Sequence, residues 1–226
     1  MTDSGLLDCV EIETAPHPTH SVILMHGLGA DANDFVPVVP ELKLGTTPAV
    51  RFVFPNAPVM PISVNNGMVM PGWYDIFAMG ENVSRREDEA GIRRSQAAIE
   101  ALIARENDRG VPTRNIVLAG FSQGSAMTLH TGLRLGERLA GMVALSGYLP
   151  LAATLADERH AANADTPIFM AHGVHDPVVT LPRAEASRDA LLAQGCQVQW
   201  HTYPMPHSVC APEIQDIAAF IKRVFA

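Results

Sequence analysis

A serine flanked by glycines is the residue of this sequence best suited to act as a nucleophile. Ser122 stands in Gly120-Phe121-Ser122-Gln123-Gly124, directly after the apolar run Asn115–Ala119. A strand before this pattern and a helix after it are typical of a sharp turn that lifts the serine hydroxyl above a sheet edge. The free N–H groups at the start of such a helix stabilise negative charge that develops on a substrate. The pattern therefore predicts acyl transfer with Ser122 as the nucleophile.

The acid that such a serine needs is predicted from its place after a strand. A serine hydroxyl is a weak nucleophile and requires a base, which an acid must orient. Asp176 follows the predicted strand Pro167–Ala171, at the carboxyl end where open α/β sheets place their sites. Its rivals Asp165 and Asp189 precede a strand and lie inside a helix, respectively. We therefore predict Asp176 as the acid.

The base is predicted among the histidines downstream of the serine, because the chain order in such folds is serine, acid, histidine. His201 lies within the predicted strand Gln197–Tyr203, whereas His207 lies in the loop that leads to the last helix. His175 is adjacent to Asp176, and neighbouring residues on one loop rarely aim their side chains at each other. The topology therefore favours His207.

A glycine-rich loop near the start of the chain is predicted to complete an oxyanion hole. The segment His26-Gly27-Leu28-Gly29-Ala30-Asp31 follows the predicted strand Ser21–Met25. Its glycines let the backbone approach the serine, so that the N–H of Leu28 and the N–H of Gln123 can both bind the oxyanion.

The same loop has an alternative interpretation as a dinucleotide-binding turn. Gly27 to Ala32 match the pattern Gly-x-Gly-x-x-Gly/Ala after a strand, so a nucleotide-binding protein is an alternative hypothesis. That fingerprint requires an acidic residue about twenty positions further on, at the end of the next strand. The strand Arg51–Phe54 ends instead in Pro55-Asn56-Ala57-Pro58, which argues against this hypothesis.

Short apolar runs alternate with helical patterns and predict the elements that position these residues. The predicted strands are Val10–Ile12, Ser21–Met25, Arg51–Phe54, Asn115–Ala119, Gly141–Leu145, Pro167–Ala171 and Gln197–Tyr203. The predicted helices are Glu89–Arg109, Arg183–Gln194 and a C-terminal helix with Pro212 in its first turn. Apolar runs of this kind predict a mainly parallel central sheet with helices on both faces and no large lid domain. At 226 residues, the chain 1–226 is expected to be a single domain.

One apolar segment, Pro55–Phe77, departs from this rhythm because it is rich in Pro, Asn and Gly. We interpret it as a long irregular segment, of the kind that tends to be functional. Met70 and Trp73 of this segment, with Leu149 and Leu151, are predicted to form an acyl-binding wall. The alternative, that these residues belong to the core or to a dimer contact, is left open.

The net charge argues against several classes of partner. A net charge of −8 disfavours nucleic acid, which requires clustered Lys and Arg, and disfavours adsorption to an anionic membrane. No apolar run approaches the roughly 20 residues that span a bilayer, so stable membrane insertion is not expected. Exposed apolar loop residues would allow a homodimer.

The cysteines and the start of the chain indicate a compartment. Cys9, Cys196 and Cys210 are scattered and lack metal-ligand spacing, which suits a reducing environment. Residues Met1–Asp8 have neither a basic region nor an apolar core of signal-peptide length. We therefore expect a cytoplasmic protein.

Six motifs together resemble the carboxylesterase/acyl-protein thioesterase family of small α/β-hydrolases, most closely its bacterial carboxylesterase branch. They are His26–Asp31, Pro55–Pro58, Met70–Asp75, Gly120–Gly124, His172–Val179 and Tyr203–His207. The resemblance implies an α/β-hydrolase fold that needs no metal or cofactor. It also implies that Ser122, Asp176 and His207 form the catalytic triad, with Leu28 and Gln123 as oxyanion donors.

The resemblance further implies hydrolysis of carboxylic esters and, in some members, of thioesters on acylated proteins. A small or lipid-like acyl ester, a lysophospholipid and an acylated protein all present a carbonyl to the same residues, so the substrate is left open. A ligand receptor of the same fold usually lacks a triad member, whereas here all three are present. Two positions depart from the family pattern: Ser125 and Pro206 stand where glycine is common.

Overall fold

The structure is a computed structural model that describes residues 6–77 and 87–226. Its strands are β1 Cys9–Glu13, β2 His20–Met25, β3 Val50–Pro55, β4 Val59–Ile62, β5 Met68–Pro71, β6 Ile116–Phe121, β7 Gly141–Leu145, β8 Ile168–Gly173 and β9 Val198–Tyr203. Its helices are α1 Val38–Leu42, α2 Glu89–Asp108, α3 Gln123–Arg134, α4 Leu155–Glu158, α5 Leu181–Ala193 and α6 Ala211–Val224. The prediction about the start of the chain falls mostly on residues 1–5, which lie outside the described residues.

Seven of the strands form one sheet in the order β1-β3-β2-β6-β7-β8-β9. Every pairing in it is parallel except that of β1 with β3. Each predicted strand is present, with ends that differ by two residues at most. The predicted mainly parallel sheet is confirmed, and β1 is its antiparallel edge strand. Among the described residues no lid domain covers the sheet.

Helices cover both faces of this sheet, as predicted. One core cluster joins the sheet to α2 and α3 and includes Ile99, Leu102 and Met127. The other joins the opposite face to α1 and α6 and includes Leu42 and Phe220. Burying each such side chain contributes about 1.5–3 kcal/mol, so the two clusters stabilise the sheet that carries the site. No helix in the described ranges is both long enough and apolar enough to cross a membrane.

The segment Pro55–Phe77 is more regular than predicted. Its middle forms a two-stranded antiparallel ribbon, β4–β5, whose strands are joined through the short 3-10 turn Ser63–Asn65. Each strand of a two-stranded ribbon has an unpaired edge, and prolines are tolerated there. The prolines of this segment therefore argued against strands in the sequence, although they are compatible with the ribbon that forms. Ile62 anchors the ribbon in the interior with no exposed surface. Three ribbon side chains are largely exposed: Val59 (67%), Met68 (64%) and Val69 (64%).

A buried carboxyl group lies in the first turn of α6, just after the loop that carries His207. Glu213 has no exposed surface, and its Oε2 accepts a hydrogen bond of 3.4 Å from the Cys210 N–H. Its Oε1 has no partner within residues 6–77 and 87–226. Burial raises the pKa of Glu213 from 4.5 to about 8.

This raised pKa predicts a pH-dependent loss of stability. Between pH 4.5 and about 8 the folded state keeps a proton on Glu213 that the unfolded state has lost, so stability falls as pH rises through that window. We expect Glu213→Gln to remove this fall, raising the free energy of unfolding at about pH 9 by a few kcal/mol over the parent protein. Urea unfolding at a series of pH values measures the free energy of unfolding, with Glu185→Gln on α5 as the control. Parallel stability–pH curves for the parent protein and Glu213→Gln would contradict the prediction.

Candidate active site

Ser122 lies in a tight turn between β6 and α3. Its backbone has φ +55° and ψ −116°, a strained conformation for a residue with a side chain. The Ser122 N–H donates to the Leu145 carbonyl on β7 at 2.8 Å, and the Ala126 N–H donates to the Ser122 carbonyl at 3.1 Å. The surrounding sheet and helix therefore hold the serine in this conformation.

The two glycines around Ser122 are required by close backbone contacts. A Cβ on Gly120 would overlap the Gly124 carbonyl, and a Cβ on Gly124 would overlap the Met25 carbonyl at the end of β2. Ser125, the departure from the family pattern, has a buried hydroxyl that faces Gly147, where a Cβ would overlap it. A glycine on the neighbouring loop thus makes room for the larger side chain.

The three residues predicted as a triad form one hydrogen-bonded series, with His207 between Ser122 and Asp176. His207 Nε2 is 2.9 Å from Ser122 Oγ, and His207 Nδ1 is 2.6 Å from Asp176 Oδ2. Because a carboxylate only accepts hydrogen bonds, the proton of a neutral His207 belongs on Nδ1. Nε2 is then free to accept the Ser122 proton. The His207 ring also packs against Phe121, with ring centroids 4.8 Å apart.

The Asp176 carboxylate is fully buried and held at both oxygens. Its Oδ1 accepts the N–H groups of Val178 at 2.8 Å and Val179 at 2.9 Å, while Oδ2 faces His207. These donors match the acceptor-only character of an ionised carboxylate. The rejected alternative His175 is exposed and contributes its N–H to the Met205 carbonyl.

A second histidine, His172, supports the acid and was missed in the sequence. Its Nε2 lies 2.7 Å from the Val179 carbonyl and 3.5 Å from Asp176 Oδ2, so Nε2 carries a proton and donates to Val179. Burial lowers the pKa of His172, which favours the neutral ring. Its ring stacks on Trp200. Its place at the end of β8, four residues before Asp176, was the available signal.

Gln123 contributes a backbone donor and, unexpectedly, a structural side chain. It is the first residue of α3, so its N–H has no acceptor within the helix. Its buried side chain accepts the Trp73 N–H at 2.8 Å through Oε1 and donates to the Tyr74 carbonyl at 2.6 Å through Nε2. The residue after the serine therefore fixes the segment that follows the ribbon.

The glycine-rich loop after β2 passes directly beside the serine. A Cβ on Gly27 would lie 3.3 Å from the Cβ of Ser122. The buried His26 holds this loop: its Nε2 accepts the Ala57 N–H at 3.1 Å, so Nδ1 carries the proton and donates to the Gly27 carbonyl at 2.7 Å. Burial lowers the pKa of His26, in keeping with a neutral ring. The Trp73 indole N–H donates to the His26 carbonyl at 2.9 Å.

Leu28, the other predicted oxyanion donor, lies between Gly27 and an anchored glycine. The Gly29 N–H donates to the Pro71 carbonyl at the end of β5 at 2.8 Å, and Gly29 has φ +78°. A Cβ on Gly72 would lie 3.0 Å from the Leu28 side chain. The ribbon therefore supports the loop that carries the Leu28 N–H.

The four residues predicted as an acyl-binding wall differ in exposure. Met70 is half-buried, and its sulfur would lie 3.6 Å from a Cβ on Gly29. The other three belong to the core cluster: Trp73 (1% exposed), Leu149 (6%) and Leu151 (8%). Of the four, Met70 has the accessible surface that direct substrate contact requires.

The dinucleotide-binding alternative lacks its structural context. In that fingerprint the glycine-rich turn leads straight into a helix whose N-terminus binds the pyrophosphate. Here the loop continues through turns, and α1 begins only at Val38. The described residues also contain no cluster of three or more His, Cys, Asp or Glu side chains that could hold a metal ion.

Comparisons with known proteins identify the family. The family model described as phospholipase/carboxylesterase matches residues 7–225. The chain is 45% identical over 210 residues to acyl-protein thioesterase 1 of Neurospora crassa, which covers 90% of this chain and 86% of that protein. It is 40% identical over 227 residues to acyl-protein thioesterase 1 of Gibberella zeae, covering 97% of each. The crystal structure of Arabidopsis thaliana SOBER1 matches with a TM-score of 0.86 at 28% identity, covering 92% of this chain and 99% of that one. The chain thus belongs to the phospholipase/carboxylesterase family of α/β-hydrolases and is a serine hydrolase that acts on carboxylic ester bonds.

Proposed function

We propose that the chain hydrolyses carboxylic esters and acyl thioesters through a triad of Ser122, His207 and Asp176 and an acyl-enzyme intermediate. The observation that carries this proposal is the hydrogen-bonded series from Ser122 Oγ through His207 to Asp176 Oδ2. It supplies a nucleophile, a base within reach of its proton, and an acid that orients the base.

The proposed reaction has two steps. Ser122 Oγ bonds to the carbonyl carbon while its proton moves to His207 Nε2, and Asp176 stabilises the imidazolium. The N–H groups of Leu28 and Gln123 bind the oxyanion, a contribution of roughly 2.7–4 kcal/mol for each donor. Collapse breaks the bond to the leaving oxygen or sulfur, which takes the proton from His207. Water then attacks the acyl-serine by the same route and releases the carboxylate and free Ser122.

The substrate class is proposed from the relatives. The Neurospora crassa and Gibberella zeae relatives are both named acyl-protein thioesterase 1, which supports an acylated protein or a lipid-like acyl ester as substrate. A lysophospholipid is the alternative with the same chemistry. Comparing kcat/KM for an acylated peptide and for a lysophospholipid distinguishes them.

The single-domain expectation and the cytoplasmic location are part of the same proposal. The described strands of the central sheet share core clusters with the helices, which supports one domain over 1–226. Cys9, Cys196 and Cys210 are free thiols, which supports a reducing compartment.

A fluorophosphonate probe tests the central claim, because only an activated serine reacts with it. We expect the probe to modify Ser122 and to spare the buried Ser125 and Ser146. A folded protein that the probe does not modify would overturn the proposal.

Met70 is predicted to set the preference for acyl length. With a water-soluble ester series from acetyl upwards, we expect Met70→Ala to lower kcat/KM for long acyl chains by about tenfold, since truncating this side chain removes about 1–2 kcal/mol of apolar contact. Acetyl ester rates should stay unchanged. Met68→Ala, at the exposed start of the same strand, is the matched control. A length profile that Met70→Ala does not alter would refute the acyl wall.

A further inference from the structure

A groove lies between α1 and α6, and none of Ser122, His207 and Asp176 lines it. It encloses about 600 Å³. It is lined by the small side chains of Ala211, Ala218 and Ala219 on α6 and by the apolar side chains of Leu42 and Ile214. Because α1 has only five residues, it leaves this stretch of α6 partly uncovered. Apolar clefts of 300–1,000 Å³ with a few polar groups are typical of ligand sites.

The lining of this groove also carries positive charge, in a chain of net charge −8. Lys43 and Lys222 both line it, and they are the only two lysines in the sequence. Neither forms an ion pair with any residue in the described ranges. Glu41 also lines the groove, so its charged side chains sum to +1. Apolar lining residues together with two unpaired ammonium groups are complementary to an amphiphilic anion.

We propose that this groove binds the carboxylate form of a medium-chain fatty acid, with the acyl chain along the alanines of α6 and the carboxylate beside Lys43 and Lys222. The choice of a carboxylate rests on the proposed function, because hydrolysis of an acyl ester or thioester releases this anion. A neutral ester substrate cannot form an ion pair with the two ammonium groups, whereas the carboxylate product can. The groove is therefore a second site, for product rather than for substrate.

The groove also adjoins the segment that carries the base. Val209 and Cys210 line it, two and three residues after His207. An occupant therefore contacts the chain directly after His207 without entering the acyl-enzyme site. Cys210 is half-buried at this position, so its thiol is a local reporter of occupancy.

Protection of Cys210 from iodoacetamide measures the binding without turnover. In the Ser122→Ala protein, decanoate is expected to slow modification of Cys210 several-fold. Cys9, which is half-buried and packs against the other core cluster, should be unaffected. Acetate, which lacks the chain, and decanol, which lacks the charge, should protect weakly. Equal protection by decanol and decanoate would overturn the carboxylate assignment.

Charge variants separate this site from general apolar binding. The double variant Lys43→Gln/Lys222→Gln is expected to need about tenfold more decanoate for the same protection, and Glu41→Gln to need less. Arg223→Gln is the matched control, because Arg223 neighbours Lys222 but binds Gln199 at 2.7 Å instead of lining the groove. If decanoate protects Cys210 equally well in the lysine double variant and in Arg223→Gln, the proposed site is refuted. Absence of ester hydrolysis in the parent protein would instead refute the proposed function, and protection would be unaffected.

Discussion

Replacing Ser122 by alanine is expected to lower kcat for ester hydrolysis by about 10⁴- to 10⁶-fold while leaving the fold intact. The substitution removes the oxygen that lies 2.9 Å from His207 Nε2, and no acyl-enzyme can then form. Residual turnover would come from the oxyanion donors and from substrate binding alone. Steady-state kinetics with a water-soluble ester measure the loss, and the burst of acyl-enzyme formation should vanish with it.

The control for Ser122→Ala is the same substitution at Ser125. The Ser125 hydroxyl is buried, three residues along the chain from Ser122, and has no hydrogen-bond partner among the described residues. Ser125→Ala should therefore keep kcat within a few-fold of the parent value. Urea unfolding establishes that both variants remain folded. Near parental kcat in Ser122→Ala would show that another residue is the nucleophile.

The arrangement of the elements was predictable because it depends on local patterns. Buried parallel strands are apolar throughout, and β7 begins and ends at the predicted residues. Asp176 and His207 were selected by their places after β8 and β9, and in the structure His207 contacts Ser122 on one side and Asp176 on the other. Chain order suffices here because the carboxyl ends of neighbouring parallel strands meet at one edge of the sheet.

The contacts that support the site were not predictable from such patterns. β8 continues two residues beyond its predicted end at Ala171, so His172 is a buried strand residue and not the first residue of the loop. The Gln123 side chain bonds to Trp73 across 50 positions of sequence, a distance at which periodicity carries no information. An apolar side chain such as Trp73 can belong to a pocket wall or to the core. Only its burial in the structure assigns it to the core.

Asp176→Asn is expected to lower kcat by about 10⁴-fold, although it changes a single atom of the side chain. The N–H groups of Val178 and Val179 both point at Oδ1, so the remaining oxygen of the asparagine must stay there. Its NH₂ group then faces His207 Nδ1 and donates to it. The ring proton is thereby shifted to Nε2, which can no longer accept the proton of Ser122.

Two further variants distinguish this tautomer effect from a simple loss of charge. Asp176→Ala leaves the His207 ring free to adopt either tautomer, so its loss of kcat should be no larger than that of Asp176→Asn. Asp189→Asn, at the exposed carboxylate of α5 that the sequence offered as a rival, should leave kcat unchanged. Kinetics of the three variants with one ester decide the matter. If Asp176→Ala were far less active than Asp176→Asn, the tautomer explanation would be wrong. The Asp176 side chain would then act mainly by occupying the space beside His207, because asparagine occupies that space while imposing the wrong tautomer, and alanine leaves it empty.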